Sequence, residues 1–335
     1  MRKLKKIILT LLLTLTLSAC SLPGLGANVA QNDIVIAGGS TSERQILAAI
    51  SEQMVNHYLP EVKTDLINNL GSSLLILQTM TGGDTNVSGA MYTGTSLTGE
   101  LNQPPITDPD LALEKVVEGY YNKYDMIWFP SYGFENTYAF MVREDFAKEN
   151  NIEKVSDLES MAKDLRAGVD TGWIDRQGDG YEAFKEIYGF DFDKVFPMQI
   201  GLVYEAVAVN EMDIVLGYSS DGRIQANNLT LLKDDLQLFP PYDASPVVTM
   251  DLLEEHPKLI DVFLKLENTI DSSQMQELNR ISDEDKVEAT IIAENFLKEN
   301  NYFEEKEITP LETRDDYKEI MKDLNNRISE GENKW

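Results

Sequence analysis

A chain of 335 residues with 29 basic and 57 acidic side chains carries a formal charge of −28, which excludes nucleic-acid phosphates and anionic lipid surfaces as electrostatic partners. Hydrophobic residues at 42% and charged residues at 26% describe a globular body with room for two domains, not a disordered or multi-span chain. One Cys and two His leave no disulfide framework and no thiolate metal site within the chain, so neither metal nor cofactor is expected.

Arg2, Lys3, Lys5 and Lys6 precede an apolar run from Ile7 to Leu17 broken only by threonines. A spanning helix needs about 20 apolar residues, so this shorter run suits a secretory leader. It ends Leu17-Ser18-Ala19-Cys20, which resembles a bacterial lipobox. Residues 1–19 are read as a removed signal peptide and Cys20 as the lipidated N-terminus of the mature chain. Residues 20–32 contain Pro and Gly without periodicity and read as a lipidated tether.

Beyond the tether, strand-like and helix-like segments alternate, which predicts α/β layers. Ile34–Ala37 is a strand, and Ser40 with Glu43 three residues on suggests a capping box for a helix that places Ile46, Ile50, Met54 and Tyr58 on one face and stops before Pro60. Strands follow at about 63–67 and 86–91, with an apolar helix at 74–80 between them. Asp108 caps a helix to about Tyr121, and strands are predicted at 126–129 and 137–142. The next unit carries expected helices near 155–165, 181–187 and 204–210, and strands near 167–169, 198–200, 213–216 and 229–232. After Pro240-Pro241-Tyr242-Asp243 come a strand at 247–250 and helices at 257–270, 273–280 and 287–299. A charged tail, 304–335, holds one helix at 314–328.

Catalytic signatures are sparse. His57 closes the first helix and His256 sits in Glu-Glu-His-Pro, both surface contexts. No Gly-x-Ser-x-Gly elbow or Walker-type loop occurs in the sequence. Asp175-x-Gln177-x-Asp179-Gly180 with Glu186 approaches a calcium loop but has Gln at its third position, and is read instead as an Asp/Gly turn capping the helix whose face starts with Tyr181, Phe184 and Ile187. The tyrosines are more informative. Tyr92, Tyr218 and Tyr242 stand in polar loop-like contexts, and Tyr138 stands where the second unit begins. Such residues are either half-buried with satisfied hydroxyls or point into a cleft. Together, aromatic faces attract a cation that cannot donate hydrogen bonds, and a quaternary ammonium is the natural guest.

From Asp33 to about Phe303 the chain resembles the substrate-binding lipoproteins of bacterial ABC importers for glycine betaine, carnitine and choline. The segments that carry the resemblance include Leu66-Ile67-Asn68-Asn69-Leu70-Gly71-Ser72-Ser73, Tyr92-Thr93-Gly94-Thr95-Ser96-Leu97-Thr98-Gly99-Glu100, Trp128-Phe129-Pro130-Ser131-Tyr132-Gly133-Phe134 and Gly217-Tyr218-Ser219-Ser220-Asp221-Gly222-Arg223-Ile224.

The resemblance implies a type II periplasmic-binding-protein fold of two α/β lobes joined by two crossover strands, with ligand in the cleft. Lobe 1 is expected at 33–136 plus 245–303 and lobe 2 at 137–244. It implies a tyrosine cage of Tyr92, Tyr138, Tyr218 and Tyr242 around the trimethylammonium head, and Thr95 against the ligand carboxylate. The helix start after Gly39-Ser40 offers amide donors to the same anion, and Arg176 matches an arginine that reaches the cleft on closure. Where many relatives carry Gln in the first strand–helix loop, Gly39 is assigned here, which leaves selectivity at the anionic end open. The function expected is a monomeric receptor without enzyme activity, lipid-anchored on the outer face of the cytoplasmic membrane of a monoderm bacterium, which hands an osmoprotectant to the transmembrane subunits of an ABC permease. The rival readings are an exported enzyme acting on choline-like substrates and a sensory ligand-binding module.

Overall fold

The computed structural model describes residues 34–332 apart from Gln177. The expected signal peptide (1–19), the expected lipidation site Cys20 and the expected tether lie outside the described residues. Strand β1 (Ile34–Gly39) is a wholly buried apolar run flanked in parallel by β2 (Thr64–Leu70) and β3 (Val87–Tyr92). Parallel neighbours need a crossover, supplied by α1 (Ser42–Tyr58) between β1 and β2 and by α2 (Ser73–Thr81) between β2 and β3. Helix α3 (Pro109–Tyr124) then leads to β4 (Met126–Trp128).

The chain next leaves this sheet and builds a second one from β5 (Tyr138–Arg143), β6 (Arg166–Asp170), β7 (Lys194–Met198), β8 (Ile214–Tyr218) and β9 (Leu229–Leu231). It returns to the first sheet as β10 (Ala244–Thr249). The sheet orders are β2-β1-β3-β10-β4 and β7-β6-β8-β5-β9. Each therefore has four strands running one way and one antiparallel strand inserted among them, which arrives directly from the other sheet: β10 between β3 and β4, and β5 between β8 and β9. This is the two-lobed α/β architecture of periplasmic binding proteins. The two connecting segments, 129–137 and 232–243, run antiparallel where they meet. Asn136 N donates to Tyr242 O at 3.1 Å and Ala244 N to Phe134 O at 3.2 Å.

The first lobe's core spans α1, the sheet and later helices, including α4 (Ser272–Asp283) and α5 (Ala289–Glu299). The charged C-terminal segment joins that core: Leu311, Tyr317, Ile320, Met321 and Leu324 are buried, the last three on α6 (Lys318–Glu332). Tyr317 donates to Trp128 O at 2.8 Å, and Arg314 grips Glu267 with two bonds of 2.8 and 2.7 Å. At about 1.5–3 kcal/mol for each fully buried apolar side chain, before ordering costs, this packing holds the segment on the lobe. The second lobe is closed by an aromatic cluster in which Phe140, Trp173, Phe184 and Phe239 sit between the sheet and its helices.

Several local expectations are corrected. The cap of α1 is Thr41, not Ser40, and its hydroxyl accepts from Arg44 N; Glu43 is instead drawn into the core. The helix expected at 155–165 is a 3-10 turn, Val155–Leu158, followed by irregular turns. Asp157 and Asp235 take the amides of Lys154 and Ser156 there, offering the backbone an alternative to helix. The helix expected at 257–270 spans only Leu259–Leu264; Asn268 adopts a left-handed φ of 51° and its amide bonds Ser131 on the outward connection. The strand expected at 198–200 is β7, which ends at Met198, and the following residues begin a helix at Ile200–Ala208.

Candidate ligand-binding site

A cavity of about 560 Å³ opens between the two sheets, lined by Tyr92, Tyr138, Tyr218 and Tyr242. Each tyrosine arrives for a local reason. Tyr92 is the last residue of β3 and Tyr218 the last of β8, so both stand at strand ends. Tyr138 opens β5 and pairs directly with Tyr218 across the antiparallel ladder, which brings their rings to 5.1 Å. Tyr242 lies on the return connection. It is held there by Thr93, whose hydroxyl donates to Pro241 O at 2.8 Å and accepts from Asp243 N at 3.0 Å. Gly94 is needed beside it, since a Cβ there would lie 2.9 Å from the Tyr242 ring.

Two of the four hydroxyls are anchored on carboxylates. Tyr92 donates to Glu43 Oε1 at 2.5 Å and Tyr138 to Asp170 Oδ2 at 2.7 Å. Burial pushes both phenols above their usual range, and the neighbouring carboxylates add to the effect. Glu43 is only 3% exposed and gathers Asn136 Nδ2 at 2.8 Å and Asn279 Nδ2 at 3.2 Å as further donors. Asn279 also donates to Ser220 O of the second lobe at 2.8 Å. One buried carboxylate thus links a cavity tyrosine, the outward connection and an interlobe contact.

The opposite wall is polar. Ser40, Thr41 and Arg44 come from the start of α1, and Gly71, Ser72 and Ser73 from the start of α2. Thr95, Thr98, Gly99 and Glu100 follow β3, on a helical turn that widens into a π-turn at Ser96–Glu100, closed by Leu101 N to Ser96 O at 2.9 Å. Such single widened turns redirect side chains and recur at functional sites. Burial raises the Glu100 carboxyl above its usual range, partly offset by its own backbone and by Arg44.

Of the residues singled out in the sequence, the four tyrosines, Thr95, Ser40 and Arg176 line this cavity. Arg176 reaches its tyrosine end: its guanidinium sits 5.5 Å from the Tyr138 ring centre, donates to the Tyr242 hydroxyl at 3.0 Å and is neutralised by two bonds to Asp179 at 2.9 and 2.8 Å. Gly39 is not among the lining residues. The space a side chain would take there is filled by Arg44, whose Cδ lies 2.3 Å from an ideal Cβ on Gly39. Arg44 was missed in the sequence. A cation in the first turn of a helix opposes the helix dipole, and that misfit was the available signal. His57 meets Glu304 Oε1 at 3.0 Å and stacks on Tyr302, fastening the C-terminal segment; neither it nor His256 touches the cavity. In the calcium-like segment, Gln177 lies outside the described residues. Asp179 there is occupied by Arg176, and no cluster of three metal-ligating side chains occurs among the described residues.

Two α/β lobes, two antiparallel connections and a cavity between them with one aromatic and one polar wall define a ligand-binding receptor of the periplasmic type. The chain belongs to the family of substrate-binding domains of ABC-type glycine betaine transport systems, whose model matches residues 32–299. It is 46% identical over 299 residues to the carnitine transport binding protein OpuCC of Listeria monocytogenes, covering 89% of this chain and 96% of that one. It is 28% identical over 291 residues to the glycine-betaine-binding protein of Pseudomonas aeruginosa, covering 83% and 92%. A solved structure of a glycine betaine/carnitine/choline ABC transporter protein superposes with a TM-score of 0.79 at 48% identity, over 81% of this chain and 100% of that one. These relatives are transport binding proteins, not enzymes, and the reading as an exported enzyme has no support among them. Among the described residues no helix is long and apolar enough to cross a membrane.

Proposed function

We propose that this receptor binds quaternary-ammonium osmoprotectants (glycine betaine, carnitine, choline) outside the cell and delivers them to the transmembrane subunits of its ABC permease. Tyr92, Tyr138, Tyr218 and Tyr242 form the cage for the trimethylammonium head, while Ser40, Thr95 and the start of α1 serve the other end. The observation that carries the reading is the convergence on one cavity of four tyrosines from both sheets and a connection. A cation without N–H groups gains about 0.5–2 kcal/mol from each desolvated aromatic face. Closure of the lobes (33–136 plus 245–303 against 137–244) brings the walls together and, by favouring one of two states, reports occupancy to the permease. The protein acts as a monomer tethered through lipid on Cys20, at the outer face of the cytoplasmic membrane of a monoderm bacterium. Choline and 3,3-dimethylbutanol, its neutral isostere, separate the cage from ordinary apolar contact. Choline should bind at least tenfold more tightly, and equal affinities would overturn the cage.

A further inference from the structure

We infer that Arg44 is the contact for the ligand's carboxylate, and that it makes the receptor selective for zwitterions over the cationic alcohol choline. The inference rests on the quaternary-ammonium reading above and adds to it the residue and charge that sort the ligands.

The cavity holds two arginines in different states. Arg176 is satisfied by both oxygens of Asp179 and by the Tyr242 hydroxyl. Arg44 has no carboxylate partner among the described residues. Its guanidinium donates from Nη2 to Ser73 Oγ at 2.6 Å, and Glu100, on the same cavity wall, feels its charge without forming a salt bridge to it. A guanidinium at the wall of a binding cavity with no carboxylate in salt-bridge contact offers a two-pronged fit to the carboxylate of a ligand. Its surroundings agree: Ser40, Thr41, Ser72 and Ser73 flank it, at the starts of two helices of 17 and 9 residues.

Placement fixes the ligand's orientation as well. The Arg44 guanidinium lies 4.9 Å from the Tyr92 ring centre and already uses a face of that ring. The ligand's anionic end therefore goes to the Arg44 side of Tyr92, and its cationic head sits within the four-tyrosine cage toward Tyr138, Tyr218 and Tyr242. There the Arg176 charge is already balanced by Asp179, so a second cation is not repelled outright. Choline would bring its head to the same place but leave Arg44 unpaired. Glycine betaine and carnitine neutralise it. Because the stem of Arg44 fills the space in front of Gly39, the missing side chain at 39 and the arginine at 44 form one arrangement: the small residue makes room for the long one.

The test is calorimetric titration of the purified protein and its Arg44→Gln and Arg44→Lys variants with glycine betaine, carnitine and choline, alongside apo melting curves. Wild type should favour the two carboxylate ligands over choline. Charge-assisted hydrogen bonds to a buried partner imply that Arg44→Gln shrinks that preference by about 10- to 100-fold, with Arg44→Lys keeping part of it and the apo melting temperature unchanged. A uniform loss for all three ligands, or an unchanged preference, would overturn the assignment while leaving the cage intact. Wild-type protein that binds none of the three would overturn the receptor reading and this inference with it.

Discussion

Replacing Tyr218 by Leu or by Phe separates the ring face from the rest of the side chain. Tyr218 is 37% exposed, and its ring stands 5.1 Å from Tyr138, its cross-strand partner. Leu keeps strand character and much of the apolar area but removes the negative ring face, whereas Phe keeps the face and loses only the hydroxyl. One aromatic face contributes about 0.5–2 kcal/mol to a bound cation, which converts to a loss of about 2- to 30-fold in Kd for Tyr218→Leu. Tyr218→Phe should stay within about 3-fold of wild type on the same arithmetic. At this exposed strand end, the apo melting temperature should move by no more than about 2 °C for either variant. Calorimetric titration with glycine betaine and carnitine, together with apo melting curves, supplies the readout. Wild-type affinity in Tyr218→Leu, or an equal loss in the Phe variant, would refute cation recognition by this ring.

Tyr92 should behave differently, because Tyr92→Phe deprives the buried Glu43 carboxylate of its shortest donor; at about 1–3 kcal/mol for a buried group left short of partners, the apo protein should melt about 2–10 °C lower, and an unchanged melting curve would show that Asn136 and Asn279 suffice. On the outward connection, burial and then the Asp243 charge hold the Glu135 carboxyl above its usual range. A carboxyl whose folded pKa is raised favours the fold when protonated, so wild-type stability should fall as pH rises from about 4 through the folded pKa. Glu135→Gln should therefore melt higher than wild type at pH 7 and lose that advantage near pH 4; an advantage independent of pH would contradict the assignment. Cys20→Ala should shift the protein out of the membrane fraction or block leader processing, as read by fractionation, and labelled fatty acid on the variant would rule out Cys20 as the lipid site.

The sequence made the strand–helix alternation legible because each buried strand is a short apolar run between turn residues, as in Ile34–Ala37 and 213–216. The sheet orders were not legible: that β10 and β5 insert antiparallel depends on pairings between residues distant in the chain, such as Ala244 with Tyr92 and Tyr138 with Tyr218. Local patterns failed where side chains captured the backbone. Asp157 and Asp235 replaced an expected helix with a turn, and Glu43, read as half of a capping box, turned inward to Tyr92 instead. In the site, the tyrosines were visible as aromatic residues at strand ends and in polar loops. Arg44 and Glu43 were hidden because an Arg and a Glu in a helix's first turn look like solvated surface until β3 and α4 are packed against them.

The central claim is that the cavity recognises a quaternary ammonium carried by a small zwitterion. Calorimetric titration of the purified protein with glycine betaine, carnitine, choline and proline tests it directly. The account predicts saturable one-to-one binding of glycine betaine or carnitine, weaker binding of choline, and no comparable binding of proline, whose ammonium is secondary and donates hydrogen bonds. Binding of proline as tight as that of the trimethylammonium compounds, or binding of none of them, would contradict it.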